Sequence, residues 1–117
     1  RPGSREVAEF MGELNYFDGE VRNKKFTSEI ISFDTDKADG KYSLMLRPGG
    51  LSVSAGTDKG YLIKEAVYGG EFVTLVLEKD KEYLVRLPHK EFTSLDIKPG
   101  DGVDIKVNEE VFEPVLL

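Results

Sequence analysis

The chain has 117 residues, enough for one domain with a real core, and carries no cysteine, so no disulfide or thiolate metal site contributes to it. Sixteen Lys and Arg against 22 Asp and Glu give a net charge of -6, which argues against binding phosphate backbones or anionic lipid surfaces. No stretch approaches the ~20 apolar residues that span a bilayer, and neither direct membrane insertion nor a leader is expected.

The first predicted element is a short N-terminal helix. Ser4 suits its cap, Glu6 and Glu9 sit early where the dipole favours negative charge, and Val7, Phe10, Met11 and Leu14 fall at three- and four-residue spacing. Gly12 marks its end. The chain opens on Arg1 rather than Met, which predicts that it is cut from a longer protein.

From Asn15 onward the pattern reads as strands. Tyr42, Leu44 and Leu46 alternate with other residues, as do Leu51 and Val53. Val73, Leu75 and Leu77 face one way and Phe72, Thr74 and Val76 the other, as in a strand covered on both sides. Tyr83, Val85 and Leu87 alternate with Leu84 and Arg86, and residues 103–107 alternate apolar and charged without exception. Gly69-Gly70 predicts a two-residue hairpin turn, and Asp39-Gly40 and Pro99-Gly100-Asp101-Gly102 punctuate the chain in the same way. The expectation is an all-β fold: one or two OB-fold-like small barrels of about nine short strands, led by the helix. Asp18-Gly19-Glu20-Val21 and Lys59-Gly60-Tyr61-Leu62 open two faintly similar halves, which suggests lobes over 18–57 and 58–117.

No constellation in the sequence predicts catalysis. His89, the only histidine, follows Pro88 and has no cysteine to join it, so it is expected as an exposed loop residue. Asp34-Thr35-Asp36-Lys37-Ala38-Asp39-Gly40 resembles a calcium loop at first sight. An EF-hand needs Gly at position six and Glu at position twelve, where this chain has Asp39 and Met45, so a solvated hairpin loop is expected instead. No nucleophile elbow and no phosphate-cradling Gly-Lys loop occurs. Asp101 and Asp104 are a candidate acid–base pair only in the sense that any two surface carboxylates are.

Three stretches carry a family resemblance. Pro2, Val7, Ala8, Phe10, Met11, Gly12, Asn15, Tyr16, Phe17, Gly19 and Val21 are one. Leu46-Arg47-Pro48 followed by Leu51 is the second. The third runs from Gly60 to Gly69, then Val85-Arg86-Leu87-Pro88 and Lys98-Pro99-Gly100-Asp101. In this order they resemble the C-terminal regulatory tail, with its TOBE module (transport-associated OB fold), of the ATP-binding subunits of ABC importers of the iron, polyamine and sugar type. One departure is Gly49, where that family carries an acidic residue after Arg-Pro.

The resemblance implies a linker helix over 1–17 and a regulatory domain over 18–117. It implies no catalysis and no cofactor on this segment, with ATP and Mg held by an upstream domain of the parent ATPase. It further implies a homodimer that reaches ABC permease subunits through the parent, cytoplasmic and peripheral on the inner face of the cell membrane, with no nucleic acid. Phe10, Gly12, Asn15, Arg47, Pro48 and Gly69 are its interface or motif residues. The apolar face of Val73, Leu75 and Leu77 is a candidate for the paired interface. The alternative is a sensor for small oxyanions, with Ser52, Ser54, Thr57, Lys59 and Lys64 as the nearest ligands.

Overall fold

The computed structural model describes residues 14–55, 60–108 and 114–117. The predicted helix with Phe10 and Gly12 lies outside these residues, as do Thr57 and Lys59. The described chain is mostly strand: β1 (Asn15–Arg22), β2 (Lys25–Ser28), β3 (Ser32–Asp34), β4 (Gly40–Leu46), β5 (Leu51–Ala55), β6 (Tyr61–Gly69), β7 (Phe72–Lys79), β8 (Lys81–Pro88), β9 (Gly102–Val107) and β10 (Val115–Leu116). The helix α1 (His89–Leu95) joins β8 to β9, and a 3-10 turn at Pro48–Gly50 precedes β5. The all-β, barrel-like expectation holds.

The strands form two antiparallel sheets with orders β10-β4-β1-β2-β3 and β5-β9-β6-β7-β8. The two orders are the same pattern. In each sheet a three-strand meander has its first strand paired on the other side with a fourth, and that fourth strand with a fifth. The fifth strands are exchanged. β5 follows β4 in the chain but pairs with β9, whereas β10 follows β9 but pairs with β4. The second sheet closes by bringing β5 against β8. Its helix lies between its third and fourth strands, as in the five-stranded OB barrel.

Alternation explains which side of each strand is covered. Phe17 and Val21 of β1, Leu44 and Leu46 of β4, Val73, Leu75 and Leu77 of β7, and Val85 and Leu87 of β8 all point into one core shared by both sheets. The face of Val73, Leu75 and Leu77 is therefore barrel interior, each side chain 0% exposed, and does not serve as a paired interface. On the opposite face of β7, Val76 is buried and Phe72 is 47% exposed, so that strand is covered on both sides over part of its length.

Several local expectations shift. Asn15–Phe17 are strand, with Phe17 in the core, so β1 begins upstream of the predicted break at residue 18. The chain leaves the first sheet at Arg47–Gly50, ahead of the predicted break at 57, and returns to it at β10. The β6–β7 hairpin turns on Gly70-Glu71, since Gly69 still pairs with Phe72 and the positive φ of 63° belongs to Gly70 alone. Residues 89–95 form α1 rather than loop or strand. Phe92 is its buried anchor, and the left-handed Asp96 (φ 52°) ends it.

Candidate functional site

A cleft of about 940 Å³ lies at the seam between the two edge strands of the second sheet. Leu51 of β5 and Leu87 of β8 lie beneath it, both buried, and its exposed apolar surface comes from Phe72 and Pro88. Arg86 and Lys106 line it, and Ser52, directly opposite Lys106 in the β5–β9 ladder, stands on the same face. The Ser52 hydroxyl donates to Glu91 Oε2 at 2.5 Å, so this carboxylate is held by its own wall. The Arg86 guanidinium lies over the Phe72 ring, 5.8 Å from its centre. Gly49 of the 3-10 turn borders the guanidinium; a methyl group added there would come within 3.6 Å of it. Neither Arg86 nor Lys106 has an ion-pair partner among the described residues.

Asn15 is 3% exposed and bonds both backbone groups of Leu84 at the β8 edge. Arg47 is exposed and its carbonyl accepts from Gly50 N–H at 3.0 Å, which closes the 3-10 turn. Pro48 is buried in that turn. Gly69 is exposed at the end of β6. These motif residues are joints of the fold and do not converge on the cleft.

The described members of the oxyanion set do not converge either. Ser52 is engaged by Glu91, and Ser54 lies opposite Asp104. Lys64 pairs with Glu82 at 2.7 Å and Glu78 at 3.9 Å, on the side of β6 away from β5. His89 is exposed, but as the first residue of α1; its N–H donates to the Glu71 carbonyl and its ring meets Tyr68 edge-on. Asp101 accepts from the Lys98 N–H and pairs with its ammonium, so it closes a turn rather than partnering Asp104.

The segment from Asp34 to Gly40 is a crossover, because β3 and β4 lie on opposite sides of β1–β2. It folds against the Asn23-Lys24 turn through Thr35 N–H to the Lys24 carbonyl and Asn23 N–H to Asp39 Oδ1. Among the described residues no group of three His, Asp or Glu is placed to hold a metal. No described helix is long and apolar enough to cross a membrane.

At the far side of the barrel a second cluster joins the sheets. The Glu29 carboxylate, between β2 and β3, accepts the Tyr61 hydroxyl at 2.8 Å and the Lys79 ammonium at 3.0 Å. Burial pushes the Glu29 carboxyl upward, but those hydrogen bonds and the Lys79 charge outweigh it and hold the group below its ordinary value. Burial, then the bond to Glu29, raises the Tyr61 phenol far above the usual tyrosine range. Tyr61 meets Tyr83 edge-on at 5.3 Å, and Tyr83 stacks on Phe17 at 4.7 Å.

No protein-family model matches the chain, and no curated protein matches it.

Proposed function

We propose that this chain is the regulatory and dimerisation domain of the ATP-binding subunit of an ABC importer. In this reading ATP and Mg are bound and hydrolysed by an upstream domain of the parent. The present domain holds two subunits together while their nucleotide sites open and close. The parent is cytoplasmic, peripheral on the inner face of the membrane, and contacts its permease through the ATPase domain.

The observation that carries the reading is where the resembling residues fall in the fold. Asn15 joins the two sheets, Arg47-Pro48 is the turn by which the chain passes from one sheet to the other, and Lys98–Asp101 clasps β9 to β6 through Gly100 N–H to the Ile63 carbonyl and Ile63 N–H to the Asp101 carbonyl. Each position has a geometric reason for its residue type: an amide with donor and acceptor, a Pro that starts a turn, a Gly at φ 101°. A tail of this architecture needs no nucleophile or metal to do its work.

For the dimer, the first sheet supplies an outer stripe. Tyr16, Met45 and Val115 are directly opposite one another across β1, β4 and β10, with Tyr16 and Val115 exposed. Leu117 continues the stripe, 64% exposed and hydrogen-bonded both ways to Ser43. A second copy is the occupant this reading assigns to it.

The test is an immunoblot of native cell fractions with an antibody raised against this domain. A band several times heavier than 13.1 kDa in the inner-membrane fraction, retained on immobilised ATP, is the expected result. A soluble band at 13.1 kDa with no ATP retention overturns the reading.

A further inference from the structure

The cleft at the β5–β8 seam is not explained by dimerisation or by linkage to an ATPase, and its chemistry is specific. In a domain of net charge -6 it gathers two cations without ion-pair partners among the described residues, Arg86 and Lys106, beside the exposed apolar side chains of Phe72 and Pro88. The one acidic side chain in its lining, Glu91, already accepts the Ser52 hydroxyl. Phe72 holds the guanidinium from one face, which leaves its fork of N–H donors for a carboxylate.

The cleft is open rather than closed around a small volume, and it lies between two edge strands. Asn15 bonds to both backbone groups of Leu84, so these point away from β7. The alternation of an antiparallel ladder points those of Arg86, two residues further on, the same way. A ligand at the seam therefore meets the peptide groups of Arg86, two cations and the exposed apolar side chains of Phe72 and Pro88.

We propose that this cleft binds an extended acidic segment of a partner protein, its carboxylates on Arg86 and Lys106 and its apolar side chains against the exposed Phe72 and Pro88. The proposal does not depend on the importer reading. An inorganic anion would use the charges and leave Phe72 and Pro88 bare. An oligonucleotide would bring a continuous negative backbone to a negative domain.

The test is fluorescence anisotropy of the full chain with a short fluorescein-labelled peptide of alternating Glu and Val. An alternating Lys and Val peptide, citrate and oligothymidylate serve as competitors. The expected result is binding by the acidic peptide that weakens about fivefold on Arg86→Gln, and by a similar factor on Lys106→Gln. It also weakens as salt rises from about 50 to about 300 mM. Both side chains are exposed, so an unchanged thermal melt checks that the variants fold; either variant alone suffices if the other does not. Absence of binding, equal binding by both variants and the unmutated chain, or stronger competition by the Lys peptide, citrate or oligothymidylate overturns the proposal.

Discussion

Asn15 in the first sheet holds both backbone polar groups of Leu84 in the second: its Nδ2 donates to the Leu84 carbonyl and its Oδ1 accepts the Leu84 N–H, each at 2.7 Å. A primary amide carries a donor and an acceptor on one carbon, so it stands in for a neighbouring strand at the β8 edge. Asn15→Ala leaves an N–H and a carbonyl unpaired beside the core, and should lower stability by about 2–3 kcal/mol in urea unfolding. Asn15→Asp loses the donor at neutral pH and regains it when protonated. Its deficit should therefore shrink on acidification, which a purely steric defect would not do. A wild-type midpoint for Asn15→Ala would mean that the joint contributes nothing.

The Glu29–Tyr61–Lys79 cluster makes stability depend on pH at both ends. The folded Glu29 carboxyl binds its proton less readily than the unfolded one, whose ordinary value is 4.5. Its contribution is thus present above that pH and lost as pH falls through the lower folded value. The pair with Lys79 is about half exposed, so the effect should reach no more than about 1 kcal/mol, and Glu29→Gln should flatten this part of the acid limb. Tyr61 works in the opposite direction. Its folded phenol keeps its proton beyond the ordinary value of 10.0, so stability is lost as pH rises above that value. Tyr61→Phe should remove this alkaline loss. Urea titrations at a series of pH values read both limbs.

Much of the fold is legible in the sequence because strands buried on one face must alternate. The patterns at 42–46, 51–53, 83–87 and 103–107 all fall in strands with the expected residues inside. What is not legible is local backbone conformation carried by residues other than Gly. The β1–β2 turn uses Asn23 and Lys24 at φ 51° and 62°, and the β7–β8 turn uses Asp80 at φ 68°, so two hairpins carry no glycine signal. Helix α1 is hidden for another reason. It has seven residues, no side-chain cap, and one buried residue, Phe92, so it has almost no periodicity to read.

The cleft is only partly legible in the sequence. Ser52 belongs to the polar set that the sequence offers for an oxyanion. Arg86 and Lys106 sit at ordinary outward positions of alternating strands, and only the seam between β5 and β8 puts both on one cleft. The exchange of the fifth strands is a long-range pairing that no local pattern encodes.

Gly60, at the entry to β6, approaches the Val103 backbone so closely that an added methyl would overlap the Val103 carbonyl. A backbone carbonyl cannot swing aside as a side chain can. Gly60→Ala should therefore cost about 1–3 kcal/mol by shifting β6 against β9, where Tyr61 pairs with Val103. Gly50→Ala, with nothing within 4 Å of the added methyl, is the matched control and should stay within about 0.5 kcal/mol. Thermal melts of the pair measure the difference directly, and equal melting temperatures would show that β6 and β9 have room to separate.

The dimer reading makes a prediction that the fold alone does not. Tyr16, Met45 and Val115 form one cross-strand row on the outer face of the first sheet, and none of them contributes to the shared core. Tyr16→Lys places a charge at one end of that row without touching the barrel interior. If a second copy covers the stripe, light scattering should show a dimer for the unmutated chain and a monomer for Tyr16→Lys, with the thermal melt shifted no more than dissociation requires. Phe72→Lys, on the exposed face of the second sheet, should leave the dimer intact. A monomer for the unmutated chain at high concentration, or dissociation by Phe72→Lys but not by Tyr16→Lys, would remove the stripe from the interface.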